Sequence, residues 1–518
     1  MLNTSNMKQR NYKMVSVAVT LVISIIACDK KLNVTDQNNP TQESYFKTAS
    51  ELQNGVNSIY STLRAAQLVG REWYFVHDMR GGETWAGGAQ LEAPRAELLK
   101  QASPAPTNAV MTSVWQGCYQ MINKANLVLS KAPGVTDNTS LRDRLVGEAE
   151  FLRAWAYFEL VSQWGDVPVY TEPITSPTGY KGKSPAAEIY TLVITDLTGA
   201  IAKLPLSYGS NDLGRATKGA ANTLLGRVQM QKGDYAAAKT ALLAVVNSGQ
   251  YSLVNFSWNF DGDISNGPTV VATGHEANAE SIFEVFFQDR GDNNFNWGYV
   301  GELQPPFNWG PQTVRNQEYG QAWGNVIPSD RLLNEFEAGD PRYKMTFWEV
   351  GDIILTKGGT DPGVALTASD LNVDPSIKNG VSLKRIYKKY SILDWMKESF
   401  KTTGLNQRLM RYADVLLMLA ECETELGNFG QAATYINMVR ARTGVNMPPV
   451  TLTSKNQALR AVMHERSVEL AGEGVNNIDI LRWRKKGYFP SIMADPKAGQ
   501  VDMLPIPFAE TSTNPALQ

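Results

Sequence analysis

Three histidines, His77, His275 and His464, are the chain's whole supply of imidazole, and no two stand at a metal-ligand spacing with each other or with a cysteine. Gly182-Lys183-Ser184 carries the last letters of a phosphate loop, but the position of the first glycine is Pro177, so the motif is incomplete. The Gly-x-Ser-x-Gly nucleophile elbow is absent. A glycoside hydrolase needs only two well-placed carboxylates. Asp78 with Glu83, or Asp289 with Asp292, are the pairs to consider. Acidic residues in surface loops show such spacings far more often than catalytic pairs do, and turnover is what separates the two readings. The inventory points to binding, not to an enzyme or a cofactor.

Charge and cysteine usage narrow the kind of binding. The formal net charge of the 518 residues is -2, with no long charged run, so the basic stripe of a nucleic-acid binder is missing. Three cysteines exclude a disulfide framework or a Cys-rich metal site. Acidic loops could take calcium, yet no cation-loop motif stands out. At the N-terminus, Lys8, Arg10 and Lys13 precede an apolar run from Val15 to Ala27, the layout of a secretory signal peptide. The run is short for a membrane span. It ends in Ile25-Ile26-Ala27-Cys28, which resembles the lipobox of a bacterial lipoprotein signal. That likeness implies cleavage after residue 27 and lipid on Cys28, with 28–47 as a polar tether. Two or more acyl chains at about 0.8 kcal/mol per buried CH₂ make a stable anchor. Cys118 and Cys422 then remain. Cys422 shares an apolar helix face with Leu419 and Leu426 and reads as a small buried hydrophobe, which leaves pairing of the two open.

The elements that must carry any site are helical. Thr48 with Glu51 is a capping box, and Leu52, Val56, Ile59 and Leu63 mark one face of the helix it opens. A weak internal repeat follows. Leu225-Gly226, Gly233-Asp234-Tyr235, Ala238, Leu242 and Val245 match Leu419-Ala420, Gly427-Asn428-Phe429, Ala432, Ile436 and Val439 position for position. Each copy reads as helix, Gly turn, helix, the tetratricopeptide-type hairpin, with small residues letting the helices approach. An interrupted third copy joins Phe151–Trp164 to a helix opening at Ser184-Pro185. From about Ser252 to Gln407 the chain turns rich in Gly, Asn, Asp and Pro, with short apolar runs such as Ile282–Phe287. Trp258, Trp297, Trp309, Trp323, Trp348 and Trp395 lie there, half of the chain's twelve. Long irregular stretches usually serve function. The fold class expected is mainly α: tetratricopeptide-like hairpins (about 142–249 and 408–445) as scaffold, a loop-rich subdomain with a few short strands (about 252–407), and a C-terminal helix and tail (454–518), all within one domain, 48–518.

Several segments in order resemble the SusD/RagB family of nutrient-binding outer-membrane lipoproteins. They are Glu150-Phe151-Leu152-Arg153-Ala154 with Tyr157-Phe158 and Trp164–Pro168, Arg215–Ala221, Arg411–Leu417 through Ala420-Glu421, and Asn437–Gly444. Glu465-Arg466, Glu469-Leu470, Glu473-Gly474, Asp479 with Arg482-Trp483, and finally Pro505-Ile506-Pro507, Glu510 and Asn514-Pro515 complete the set. The sequence departs from the family pattern near Glu473, where Gly472 replaces a large aromatic and Val475-Asn476-Asn477 lacks the usual histidine. Arg466 and Glu469 read as a structural ion-pair network.

The resemblance implies non-catalytic capture of a glycan at the cell surface and delivery to a SusC-like TonB-dependent transporter. It implies a lipid-anchored outer-membrane location and a shallow glycan site of aromatic platforms and amide or acidic side chains. The physics suits a sugar: aromatic rings cover its apolar C–H faces, and Asn, Asp, Gln and Arg satisfy its hydroxyls. Two segments hold that mixture. The first contains Trp73, Asp78, Arg80 and Trp85, and the second runs from Asn293 through Trp297 to Trp309 and Trp323. Trp85 and Trp297 lie in Gly- or Asn-rich surroundings and are the foremost candidates. Capture of a peptide by the same kind of complex, or a glycoside hydrolase, are the alternatives, and the sugar's identity depends on loop geometry.

Overall fold

The computed structural model describes residues 45–87, 93–176, 178–260, 265–266, 269–270, 275–287, 315–320, 324–354, 364–369, 371, 385–390 and 405–518. Cys28 and the tether up to residue 44 lie outside them. Among the described residues no helix is long and apolar enough to cross a membrane.

Helix α1 (Ala49–Arg64) starts at its capping box: Thr48 Oγ1 accepts from the Glu51 N–H, and the Glu51 carboxylate accepts from the Thr48 N–H. Leu52, Val56, Ile59 and Leu63 are buried, and each contributes about 1.5–3 kcal/mol. The short α2 (Glu72–Asp78) and strand β1 (Thr84–Ala86) follow, and then α3 (Ala109–Lys131) and α4 (Thr139–Trp164), capped by Asn108 and Asn138. Next come α5 (Ala186–Lys203), α6 (Lys218–Lys232) and α7 (Tyr235–Asn247). From α3 to α7 each helix packs on the one before it.

The two hairpins in register are α6–α7 and α8 (Tyr412–Glu425) with α9 (Phe429–Arg440). Both turn at a left-handed glycine, Gly233 (φ +85°) and Gly427 (φ +82°). A Cβ on Gly226 would stand 2.6 Å from Leu242, so the close approach of α6 and α7 requires a glycine there. Helix α8 packs on α7, so the second hairpin stacks on the first. The long insertion between α4 and α5 is closed at its base by a bridge from the Ser184 N–H to the Val167 carbonyl, 3.0 Å. Ser184 does not cap α5 as its sequence suggests. Pro185 occupies the cap position, and the Asp166 carboxylate accepts from the Ala186 N–H at 2.8 Å.

Between α7 and α8 the chain forms short antiparallel pairs. Strand β2 (Ser281–Val285), taken from the apolar run at Ile282, pairs with β6 (Gln407–Arg411), which runs straight into α8. Strand β3 (Val326–Pro328) pairs with β1, and β4 (Phe347–Glu349) with β5 (Arg385–Tyr387). Helices α10 (Lys455–Glu469) and α11 (Asn476–Lys485) complete the scaffold, α10 against α8 and α9, and α11 against α2. This mainly helical architecture is the one expected. Cys118 and Cys422 are free, buried thiols, and burial pushes both thiols up from their ordinary pKa.

Candidate functional site

The segment after α1 separates into a buried half and a half that reaches the surface. Every side chain of α2 is buried. The Trp73 ring packs 4.5 Å from His77 and 6.5 Å from Trp155, and Gly474 lies so close that a Cβ there would stand 2.5 Å from the ring. Asp78 accepts from the Gly474 N–H at 2.9 Å, from the Tyr319 hydroxyl, and from Arg315 at 3.4 Å. Burial outweighs these partners and raises the carboxyl's pKa. Arg80 donates to the Val501 and Asp502 carbonyls at 2.9 and 3.2 Å, and burial pulls its pKa down to about 10. Glu83 accepts from Asn476 Nδ2 at 2.7 Å, with burial pushing its pKa up to about 8.

Trp73, Asp78 and Arg80, expected at a glycan surface, therefore lie inside, at 4 %, 4 % and 0 % exposure. The mixture of rings and polar groups is the same in both settings, but here Asp78 and one nitrogen of Arg80 spend their hydrogen bonds on protein groups, chiefly the C-terminal segment. Asp78 and Glu83 are likewise both buried.

Trp85 differs. It is half-buried and lies in β1 opposite Ile327 of β3. It packs at the junction of the main core and a small cluster of Ile327, Trp348, Leu366, Leu371 and Ile386. The Gly87 N–H donates to the Asn325 carbonyl at 3.0 Å, and a Cβ on Gly87 would stand 2.5 Å from the Gly324 carbonyl. Only glycine lets these two chains close. Through β1 the first segment singled out by sequence thus pairs with β3, which begins three residues after Trp323. Asn293, Trp297, Trp309 and Trp323 lie outside the described residues.

Sequence reasoning does not single out the residues beneath this junction. The Arg315 guanidinium lies 3.9 Å from the Tyr390 ring centre, 4.9 Å from Tyr319 and 5.0 Å from Tyr74, a buried cation enclosed by aromatic faces. It also donates to the Gly472 carbonyl. A Cβ on Gly472 would stand 2.9 Å from Tyr387, so this ring fills the space beside the residue that departs from the family pattern. The signal available in sequence is only the density of tyrosines, which no local spacing ties to Arg315.

A second buried network holds the lateral strands to the scaffold. Arg411 reaches Glu280, Glu469 and Glu473, each at 2.7 Å. Glu469 also meets Arg442 at 2.6 Å and Arg342 at 3.0 Å, which holds its carboxyl well below the usual carboxylate range. Arg466 pairs with Asp414 and Asp479 at 2.9 and 2.7 Å. Arg466 and Glu469 are thus structural ion-pair residues, in two separate networks. Buried pairs of this kind fix geometry more than they add stability.

Stacked helical hairpins with an irregular, strand-pinned region on one flank define a binding scaffold built on tetratricopeptide-like repeats. The SusD family profile matches residues 279–500, and a profile described as "starch-binding associating with outer membrane" matches residues 36–230. The chain belongs to the SusD family. It is 25% identical to SusD-like protein P25 of Formosa agariphila, with 97% of each chain covered. Among solved structures it is similar to a SusD superfamily protein from Bacteroides vulgatus (TM-score 0.72, 22% identity, 92% of this chain and 99% of that one). It is similar also to surface glycan-binding protein A from Bacteroides thetaiotaomicron, solved with laminarihexaose (TM-score 0.69, 20% identity, 91% and 99% covered).

Proposed function

We propose that this protein captures a glycan at the surface of an outer membrane, does not cleave it, and delivers it to a TonB-dependent transporter. Lipid on Cys28 holds it at the membrane. Trp85 forms one aromatic platform, and Asn293, Trp297, Trp309 and Trp323 supply the rest of the contact. Trp73, Asp78 and Arg80 support the site from behind. The observation that carries this reading is the β1–β3 ladder, which joins the half-buried Trp85 to the stretch that follows Trp323 in sequence. A half-exposed ring fixed by backbone pairing costs little entropy to use as a sugar platform. The laminarihexaose complex of a neighbour supports an oligosaccharide as the ligand class.

Calorimetric titration of the non-lipidated chain against plant, host and microbial oligosaccharides tests the proposal, with product analysis of the same mixtures. Binding to one glycan class without cleavage, weakened at least tenfold by Trp85→Ala, is expected. Released products would overturn the non-catalytic part, and an absence of binding across the panel would overturn glycan capture.

A further inference from the structure

Trp258 is 41% exposed, although its indole is not loose: the His275 ring stacks on it at 4.2 Å with an interplanar angle of 3°. With one face covered, its exposure belongs to the opposite face and the edge. A singly exposed aromatic residue needs no explanation. This one rests on a turn whose groups are tied down one after another. The His275 carbonyl accepts from Arg408 at 2.8 Å, and the Asn406 N–H donates to Glu276 at 2.7 Å. Ala277 stands at φ +51°, a conformation held by its N–H donating to Glu284 at 3.1 Å. Asn278 Nδ2 donates to the Trp258 carbonyl at 3.3 Å, and the Ala279 carbonyl accepts from Ser252 at 3.0 Å. Ala277 also lines an open cleft with a polar wall of Tyr208, Arg215, Gln250, Tyr251 and Glu284 and an apolar remainder that includes Leu213 and Phe286.

We infer that the Trp258–His275 stack is a second saccharide platform, separate from Trp85, which receives the C–H face of a pyranose while the sugar chain's hydroxyls meet the polar wall of the cleft at Ala277. The inference rests on the glycan-capture reading. An indole face is electron-rich and attracts the partly positive C–H bonds of a sugar, and a fixed ring loses no rotamer freedom on contact. The neighbouring hydroxyl, amide, guanidinium and carboxylate groups are those that satisfy sugar hydroxyls. Trp258 and Trp85 sit at different hydrophobic clusters: Trp258 follows Phe256, which packs with Phe260, whereas Trp85 packs on Ile327 and Trp348. A polymer long enough to reach both would be held twice by one protein.

The test is ¹⁹F NMR of the full mature chain carrying 5-fluorotryptophan, with the Trp258 resonance assigned by Trp258→Phe. Laminarihexaose, maltohexaose, laminarin, amylopectin, xylan and galactomannan are added in turn to the wild type and to Trp85→Ala. The expected result is a Trp258 shift with the same glycan in both proteins, and an affinity for the polymer weakened about threefold to tenfold in Trp258→Ala. His275→Ala, which leaves the indole in place but unsupported, should weaken it in the same direction. A stationary Trp258 resonance while other tryptophans move would overturn the second platform and leave capture intact. A Trp258 shift that vanishes in Trp85→Ala would overturn its independence. No movement of any tryptophan with any glycan would overturn both readings.

Discussion

Replacing Gly474 with alanine should cost several kcal/mol, through Trp73. Gly474 stands at φ +77°, and a Cβ built there lies 2.5 Å from the Trp73 ring. The left-handed backbone costs an L-residue about 1–2 kcal/mol. Displacing a packed ring adds about 1–3 kcal/mol. The ring has little room to yield, since Trp73 is buried between His77 at 4.5 Å and Trp155 at 6.5 Å. A shift would also draw the Gly474 N–H from Asp78, now 2.9 Å away. Gly474→Ala should therefore destabilise by about 2–5 kcal/mol. Trp73→Ala alone should cost about 3–5 kcal/mol. In the double variant the steric contribution disappears, so its loss should fall short of the sum by about 1–3 kcal/mol. Urea midpoints followed by circular dichroism on the non-lipidated chain measure all three, with the slope checked in each. Simple additivity, or a Gly474→Ala variant within about 0.5 kcal/mol of the parent, would refute the placement of Trp73 in the core.

Two buried titrating groups should move stability with pH in opposite directions. Burial lowers Lys497 to about 6, so the unfolded chain binds more protons between about 6 and 10.5, and this residue makes stability rise with pH across that window. Lys497→Met should flatten that rise in melting temperatures taken at pH 6.5 and 8.5, and an unchanged slope would count against a neutral lysine. Burial raises Glu83 to about 8, so the folded chain binds more protons between 4.5 and about 8, and its contribution falls as pH rises there. Glu83→Gln keeps an acceptor for Asn476 and should remove that fall; a fall of equal size in the variant would place its origin elsewhere.

What the sequence makes legible is what neighbouring residues decide. The capping box at Thr48, the hairpin turns at Gly233 and Gly427, and the apolar face of α1 all depend on contacts within a few residues, and all are where the spacing puts them. The cap of α5 is less legible, since Asp166 reaches it across the whole insertion. The candidate site is the least so. Trp73, Asp78 and Trp85 share one aromatic and acidic segment, yet Asp78 is enclosed by Gly474, Tyr319 and Arg315, hundreds of residues away, while Trp85 ends half-buried on a two-strand ladder. A polar cluster that folds on itself and one that waits for a sugar use the same residue types. Only long-range partners distinguish them. The close-packed glycines at 82, 87, 472 and 474 are the local trace of those partners, because each lies where another residue occupies the space of a Cβ.

On the glycan-capture reading, the Arg411 network lets a fixed scaffold carry a recognition surface that is free to change. Arg411 ends β6 and stands at the start of α8. Its partner Glu280 immediately precedes β2, Glu469 ends α10, and Glu473 lies in the turn between α10 and α11. One guanidinium therefore ties both entry points of the lateral region to the C-terminal helices. Removing one partner of such a buried set costs about 3–5 kcal/mol, because an uncompensated charge remains. Once that clamp is closed, the chain between β2 and β6 can lengthen at little expense, about 0.6 kcal/mol for each doubling of a flexible loop. Recognition can then be rewritten in the loops without disturbing the helices. On the glycan-capture reading, the residues that choose one sugar over another should accordingly be sought between Phe286 and Asn406, at the edge of Trp85 and at Trp258, not in the enclosed cluster around Asp78, where every change is first a change in stability.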